Sequence, residues 1–125
     1  LHLSLRRQRQ MCIRDSLLCL NGVNYELNEN ITIVACDDKP VAIAGVIGGL
    51  ETSVDDDTSS IYLEGAVFNP VTIRKSSKEI GIRTESSSRF EKGISYKNTL
   101  DSVTRAIKIL EEYFKIPNPI IILII

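Results

Sequence analysis

Histidine is nearly missing from this sequence, tryptophan is missing, and cysteine is sparse, and each shortage closes a route to function. The one histidine, His2, sits at the start of the chain, so a histidine-based catalytic triad or a histidine metal site has almost no raw material. Cys12, Cys19 and Cys36 cannot pair completely, and none stands in a zinc-ligand spacing, which makes a reducing compartment the simplest setting. The longest apolar run, Ile120 to Ile125, falls far below the roughly 20 residues of a membrane span, so no membrane helix is expected. Internal repeats and low-complexity linkers are absent as well.

What is present is ordinary for a globular chain. Its 125 residues are 43% hydrophobic and 25% charged. That is enough for one domain burying roughly two-thirds of its unfolded surface, and too short for a typical two-domain enzyme. A single core is the expectation. The net charge of −1 hides a strong polarity: residues 1 to 18 carry four Arg against one Asp, residues 19 to 69 nine acids against one Lys, and residues 70 to 97 seven bases against three acids. A basic block of that size suits an RNA-facing surface or an ordinary solvated helix face, and charge alone does not choose.

Residues 1 to 18 stand apart. From Arg6 to Ser16 there is neither strand alternation nor a helical stripe, which reads as a targeting peptide or, preferably, a non-native remnant. From Leu18, alternating runs flank Asn21-Gly22, the dipeptide suited to a type I′ hairpin turn. Ile31 to Cys36 and Val41 to Ile47 read as adjacent buried antiparallel strands around a turn at Asp37 to Pro40, and Ile61 to Phe68 as a further strand after an acidic loop. One sheet of about four or five strands results. Asn69-Pro70 starts a helix that ends at Ile80 before Gly81. A short helix runs from Glu85 to Lys92, capped by Thr84 and closed by Gly93. A longer one follows Ser95, with Leu100, Val103, Ile107, Leu110 and Phe114 as its core stripe. The fold class is α+β, a mostly antiparallel sheet packed by about three helices. Residues 19 to 119 form a partial domain, and 120 to 125 a strand cut off midway.

Few motifs carry chemistry by themselves. Gly45 to Gly49 is glycine-rich after a strand, but lacks the P-loop and dinucleotide-binding spacings and leads into an acidic loop. A bend or close backbone approach explains it, and a pocket wall of backbone is left open. Asp55-Asp56-Asp57 lacks the rest of a calcium loop and reads as a solvated turn, so no metal site is expected. Cys36 reads as a small core residue. Glu64 lies mid-strand, sharing a face with Tyr62 and Ala66; it is either an exposed or Arg-paired structural carboxylate or a polar anchor in a ligand pocket.

Lys39 to Gly49, the spacing to Leu63-Glu64, the run Phe68 to Arg74, and Arg83 to Gly93 together resemble the editing domain in the beta subunit of bacterial-type phenylalanyl-tRNA synthetase, over about Leu20 to Phe114. The resemblance implies an enzyme part. The whole synthetase joins phenylalanine to its tRNA using ATP and Mg²⁺ as an alpha2-beta2 tetramer, and this domain hydrolyses tyrosine misattached to that tRNA. By resemblance Glu64 contacts the tyrosyl hydroxyl, Gly48 and Gly49 line the pocket, and Ser86 stands beside it where the family commonly has Ala. The family also uses a Thr-Asn pair and a His ahead of the hairpin, and residues 1 to 18 contain neither constellation. The implied partners are tRNA and the alpha subunit, with no membrane, in a cytoplasmic or organellar setting. Arg74, Lys75, Lys78 and Arg83 are the RNA-contact candidates, with Arg89 and Lys92 nearby; Arg89 is alternatively a buried ion-pair partner for Glu64 or Glu91. The rival to hydrolysis is a non-catalytic tRNA- or protein-binding module.

Overall fold

A computed structural model describes residues 3–7, 16–114 and 120–124. In chain order the elements are β1 (Leu3–Arg7), β2 (Ser16–Leu18), β3 (Asn24–Glu26), β4 (Thr32–Cys36), β5 (Lys39–Ile43), β6 (Ile47–Gly48), β7 (Tyr62–Ala66), α1 (Pro70–Glu79), α2 (Glu85–Phe90), α3 (Tyr96–Phe114) and β8 (Ile120–Ile124). The α+β class holds, with the strands divided among three small sheets instead of one. β1-β4-β5-β6 is an antiparallel four-stranded sheet, β2-β3 a hairpin, and β7-β8 a parallel pair. The single core expected from chain length is likewise replaced by two compact units. The first comprises Leu1–Ser53 and Phe68–Gly93, and the second Val54–Val67 and Ile94–Ile125.

Within the first unit, two turns depart from the sequence expectation. Asn21-Gly22 does not form a type I′ turn: Gly22 has φ +77°, but Asn21 is outside the left-handed region. Gly22 N–H donates to the Cys19 carbonyl and Cys19 N–H to the Val23 carbonyl, so the loop is longer than two residues. The geometry expected there occurs instead at Asp37-Asp38, both at positive φ (46° and 70°), where Cys36 pairs with Lys39 across a two-residue loop. Aspartate tolerates that region because its short side chain bonds locally.

The apolar run from Val41 to Ile47 is a hairpin and not one strand. Gly45 adopts φ +64°, Val46 N–H donates to the Ile43 carbonyl, and β5 and β6 pair through Ala42 with Gly48 and Ile43 with Ile47. A Cβ on Gly45 would meet Ile73 Cδ1 and Phe68 Cδ2 at 2.9 Å, so both backbone angle and packing demand glycine. Pro40 is accommodated where the β4-β5 register shifts between Val34 and Ala35.

The helices of this unit begin where their caps dictate. Asn69 Oδ1 accepts from Val71 and Thr72 N–H with Pro70 in the first turn, and Gly81 follows the end at φ +71°. On α1, Ile73, Ser76 and Ser77 are buried; Ser76 Oγ accepts from Thr32 N–H at 3.0 Å, tying the helix to the start of β4. Such a bond satisfies a strand donor that would otherwise be stranded against a helix. Phe68 and Phe90 meet edge to face with centroids 4.8 Å apart.

In the second unit, α3 packs on β7, and β8 runs parallel to β7 in register from Tyr62–Ile120 to Ala66–Ile124. The stripe expected to be core is only partly so. Val103 is buried, Ile107 and Leu110 are half-buried, and Leu100 is exposed. The Phe114 side chain lies outside the described part of that stripe. The loop at Asp55 to Thr58 is a solvated turn: Thr58 Oγ1 donates to Asp55 Oδ1 at 2.7 Å and accepts from Asp55 N–H.

Candidate functional site

Gly48 and Gly49 end the β5-β6 hairpin, and their neighbours separate their roles. Gly49 N–H donates to the Val41 carbonyl at 2.8 Å, and a Cβ there would stand 2.7 Å from that oxygen and 3.1 Å from Leu17 Cδ1. Gly49 is buried, and its missing side chain is what the backbone approach requires. Gly48 is half-buried, with Leu20 Cδ1 3.3 Å from where its Cβ would be. Of the two, Gly48 has surface to offer a ligand.

Thr84 fastens α2 to the same hairpin. Its hydroxyl donates to the Val46 carbonyl at 2.7 Å and accepts from Ser87 N–H, while Ser87 Oγ accepts from Thr84 N–H, completing a capping box. The glycine turn thereby fixes the entry of α2, and Ser86, half-buried in its first turn, belongs to the same unit as Gly48 and Gly49. Sequence inspection finds the Thr84 cap from its position before the helix. The 38-residue reach to Val46 has no local signal.

Glu64 belongs to the other unit, at the middle of β7. Tyr62 and Glu64 are exposed and Leu63 is half-buried, whereas Gly65 and Ala66 are both buried, so the face that alternation shares among Tyr62, Glu64 and Ala66 is exposed only over its first two members. Among the described residues its carboxylate has no hydrogen-bond or ion-pair partner. Burial nevertheless pushes the carboxyl above its ordinary value: the outer edge meets water while surrounding protein atoms displace part of the hydration shell.

The basic side chains sort differently from the expectation. Arg89 pairs with Glu85 at 3.5 Å, one helical turn away and fully in solvent, and is not a buried partner for Glu64 or Glu91. Glu91, the cap residue after α2, is instead paired with Arg83 and Arg74. Lys75 and Lys78 lie exposed on α1, with no ion-pair partner among the described residues. Cys19 is fully buried, its thiol donating to the Leu17 carbonyl, and burial raises its pKa; Cys36 is only half-buried at a strand end, not a core residue. Among the described residues, no three His, Cys, Asp or Glu side chains gather as a metal site would require, and no helix is long and apolar enough to cross a membrane.

A model of the B3/4 domain family matches residues 2–115, and the chain belongs to that family. Among individual proteins, it is similar to the phenylalanine-tRNA ligase beta subunit of Prochlorococcus marinus subsp. pastoris, 87% identical over 107 residues, which is 86% of this chain and 13% of that protein. A beta subunit from a second Prochlorococcus marinus strain is 78% identical over 107 residues, again 86% of this chain and 13% of the relative. That of Acinetobacter baylyi is 43% identical over 105 residues, 84% of this chain and 13% of the relative. The chain thus spans about 13% of the length of these relatives. The family match begins inside the segment expected to be non-native, where Leu3–Arg7 pairs with β4.

Proposed function

We propose that the chain is a segment of the beta subunit of a phenylalanine-tRNA ligase, and that its domain takes part in hydrolysing tyrosine misattached to the phenylalanine tRNA. The first half is supported by the 87% identity to a protein of that name. The second is supported by Glu64, an exposed mid-strand carboxylate with no partner among the described residues and with burial raising its pKa. Tyrosine differs from phenylalanine by one hydroxyl, and a largely hydrophobic synthetic pocket rejects an added hydroxyl by only about a hundredfold, so a second site must read it. An ionised carboxylate accepts and never donates, which suits a phenol. Within the first unit, Gly48 is half-buried and offers backbone surface, Gly49 holds the hairpin against Val41, and Ser86 lies in the first turn of α2. A bound water, helped by backbone donors and the terminal hydroxyl of the tRNA, cleaves the ester.

The same reading assigns ATP and Mg²⁺ to the synthetic site of the alpha subunit in an alpha2-beta2 tetramer, with tRNA as the shared partner in the cytoplasm. The test is deacylation of Tyr-tRNA and Phe-tRNA by the full-length protein carrying this segment. Glu64→Ala is expected to lower discrimination for tyrosine about ten- to a hundredfold, the value of one charged hydrogen bond. Gly48→Trp is expected to block hydrolysis of every aminoacyl ester. Preserved discrimination in Glu64→Ala would move the site elsewhere, and tRNA binding without any deacylation by the unaltered protein would favour a non-catalytic binding module.

A further inference from the structure

Three elements of the first unit meet at one carboxylate. Arg74 on α1 donates from Nη2 to the Glu91 carbonyl at 3.3 Å and places Nε 3.9 Å from Glu91 Oε2. Arg83, in the connection between α1 and α2, bonds Glu91 Oε1 through Nη2 and donates from Nε to Ser88 Oγ at 3.2 Å. The Glu91 side chain is 14% exposed, whereas those of Arg74 and Arg83 are 66% and 68% exposed. The anion is held inside while both cations face outward.

Two guanidinium groups share one carboxylate, so the cluster keeps a positive charge. Each guanidinium has about five N–H donors, and the bonds described here engage no more than two of them on either side chain. The remaining forks point toward water in orientations that Glu91 and Ser88 already fix. A ligand with paired anionic oxygens would then find its donors placed, with less side-chain freedom to lose on binding. Lys75 and Lys78 on the same helix supply point charges without such fixing.

We propose that Arg74 and Arg83, locked by Glu91, form a pre-organised phosphate-binding pair for the tRNA backbone, with Glu91 as the positioning residue. The inference rests on the tRNA-ligase reading and deepens it by dividing the basic face into a fixed arginine pair and two mobile lysines. It reverses the sign that charge alone dictates. Removing an acid beside a phosphate site should tighten RNA binding if only charge matters, and should weaken it if the acid positions the arginines.

The measurement is the affinity of the full-length protein for its tRNA across a salt series. Glu91→Gln is expected to bind about three- to tenfold more weakly, because charge-assisted bonds lose their alignment. Equal or tighter binding overturns the proposal. Arg83→Lys keeps the charge on an exposed side chain and loses the planar fork. It is expected to weaken binding about threefold at an unchanged salt slope, which distinguishes geometry from charge and carries the test should Glu91→Gln prove unstable. Unchanged affinity in Arg83→Lys also overturns it. Lys75→Ala combined with Lys78→Ala is expected to reduce the slope by about two. A loss confined to the lysine variant would overturn the arginine pair. The editing reading is decided separately by deacylation in Glu64→Ala, so either idea can fail alone.

Discussion

The two compact units are built on different principles. The first is stitched by bonds that span long stretches of sequence: Thr32 to Ser76, Asn28 to Glu79, Thr84 to Val46, and the arginines to Glu91. Of the buried hydrophobic residues among those described, all but Ala66 and Val103 belong to it. The second relies on backbone pairing of β7 with β8 and on the part-buried stripe of α3. Cooperative stability should therefore concentrate in the first unit, and hydrogen exchange should rank its strands as slower to open than β7.

The largest contrast should come from emptying each apolar contact. Ile73 is fully buried, and Ile73→Ala is expected to cost about 2–5 kcal/mol by denaturant unfolding. Leu100→Ala, at an exposed position of α3, should stay within about 0.5 kcal/mol. Equal losses would erase the distinction between the units. Next comes Gly49→Ala, whose new Cβ would meet the Val41 carbonyl at 2.7 Å; strain of about 1–3 kcal/mol is expected. Gly48→Ala meets only the end of a flexible Leu20 side chain and should cost less in the same measurement.

Thr84→Ala removes both a cap and a buried-side hydrogen bond to Val46, for about 1–3 kcal/mol, and Thr84→Ser should restore most of it. The smallest effect belongs to Glu64. Its folded-state pKa is raised, so the folded chain holds its proton more tightly than the unfolded chain. Stability from this group therefore falls as pH rises from its unfolded value through its folded one. Glu64→Gln should flatten that fall in a pH series of unfolding curves; an unchanged series would mean the carboxylate is fully hydrated.

How much of this was readable in the residues depended on the distance over which each signal acts. Asn69-Pro70, Thr84, Gly81 and Gly93 were legible because caps and helix exits are contests between a side chain and its own backbone neighbours. Val41 to Ile47 misled because an apolar run looks alike whether it continues or doubles back, and only the space against Ile73 and Phe68 forces Gly45 to turn. Of the candidate site, alternation left the surroundings of Glu64 open, because it puts exposed Glu64 and buried Ala66 on one face. Arg89 was misplaced because Glu85 and Glu91 both lie within reach along the sequence, and the competitors that take Glu91, Arg83 and Arg74, come from outside α2, 8 and 17 residues away.

The packing of Phe68, Ile73 and Phe90 against the Gly45 turn has a consequence for the order of events on the ribosome. The four-stranded sheet is complete once Gly48 has emerged, but its covering side chains arrive only after the chain has passed through residues 54–67, which belong to the other unit. A nascent chain of that intermediate length carries strands without a lid and must keep its apolar face from other partners until α1 and α2 are made. Its folding is thus timed by translation of the segment ending at Gly93, and a pause before Phe68 should lengthen the window in which a chaperone can bind.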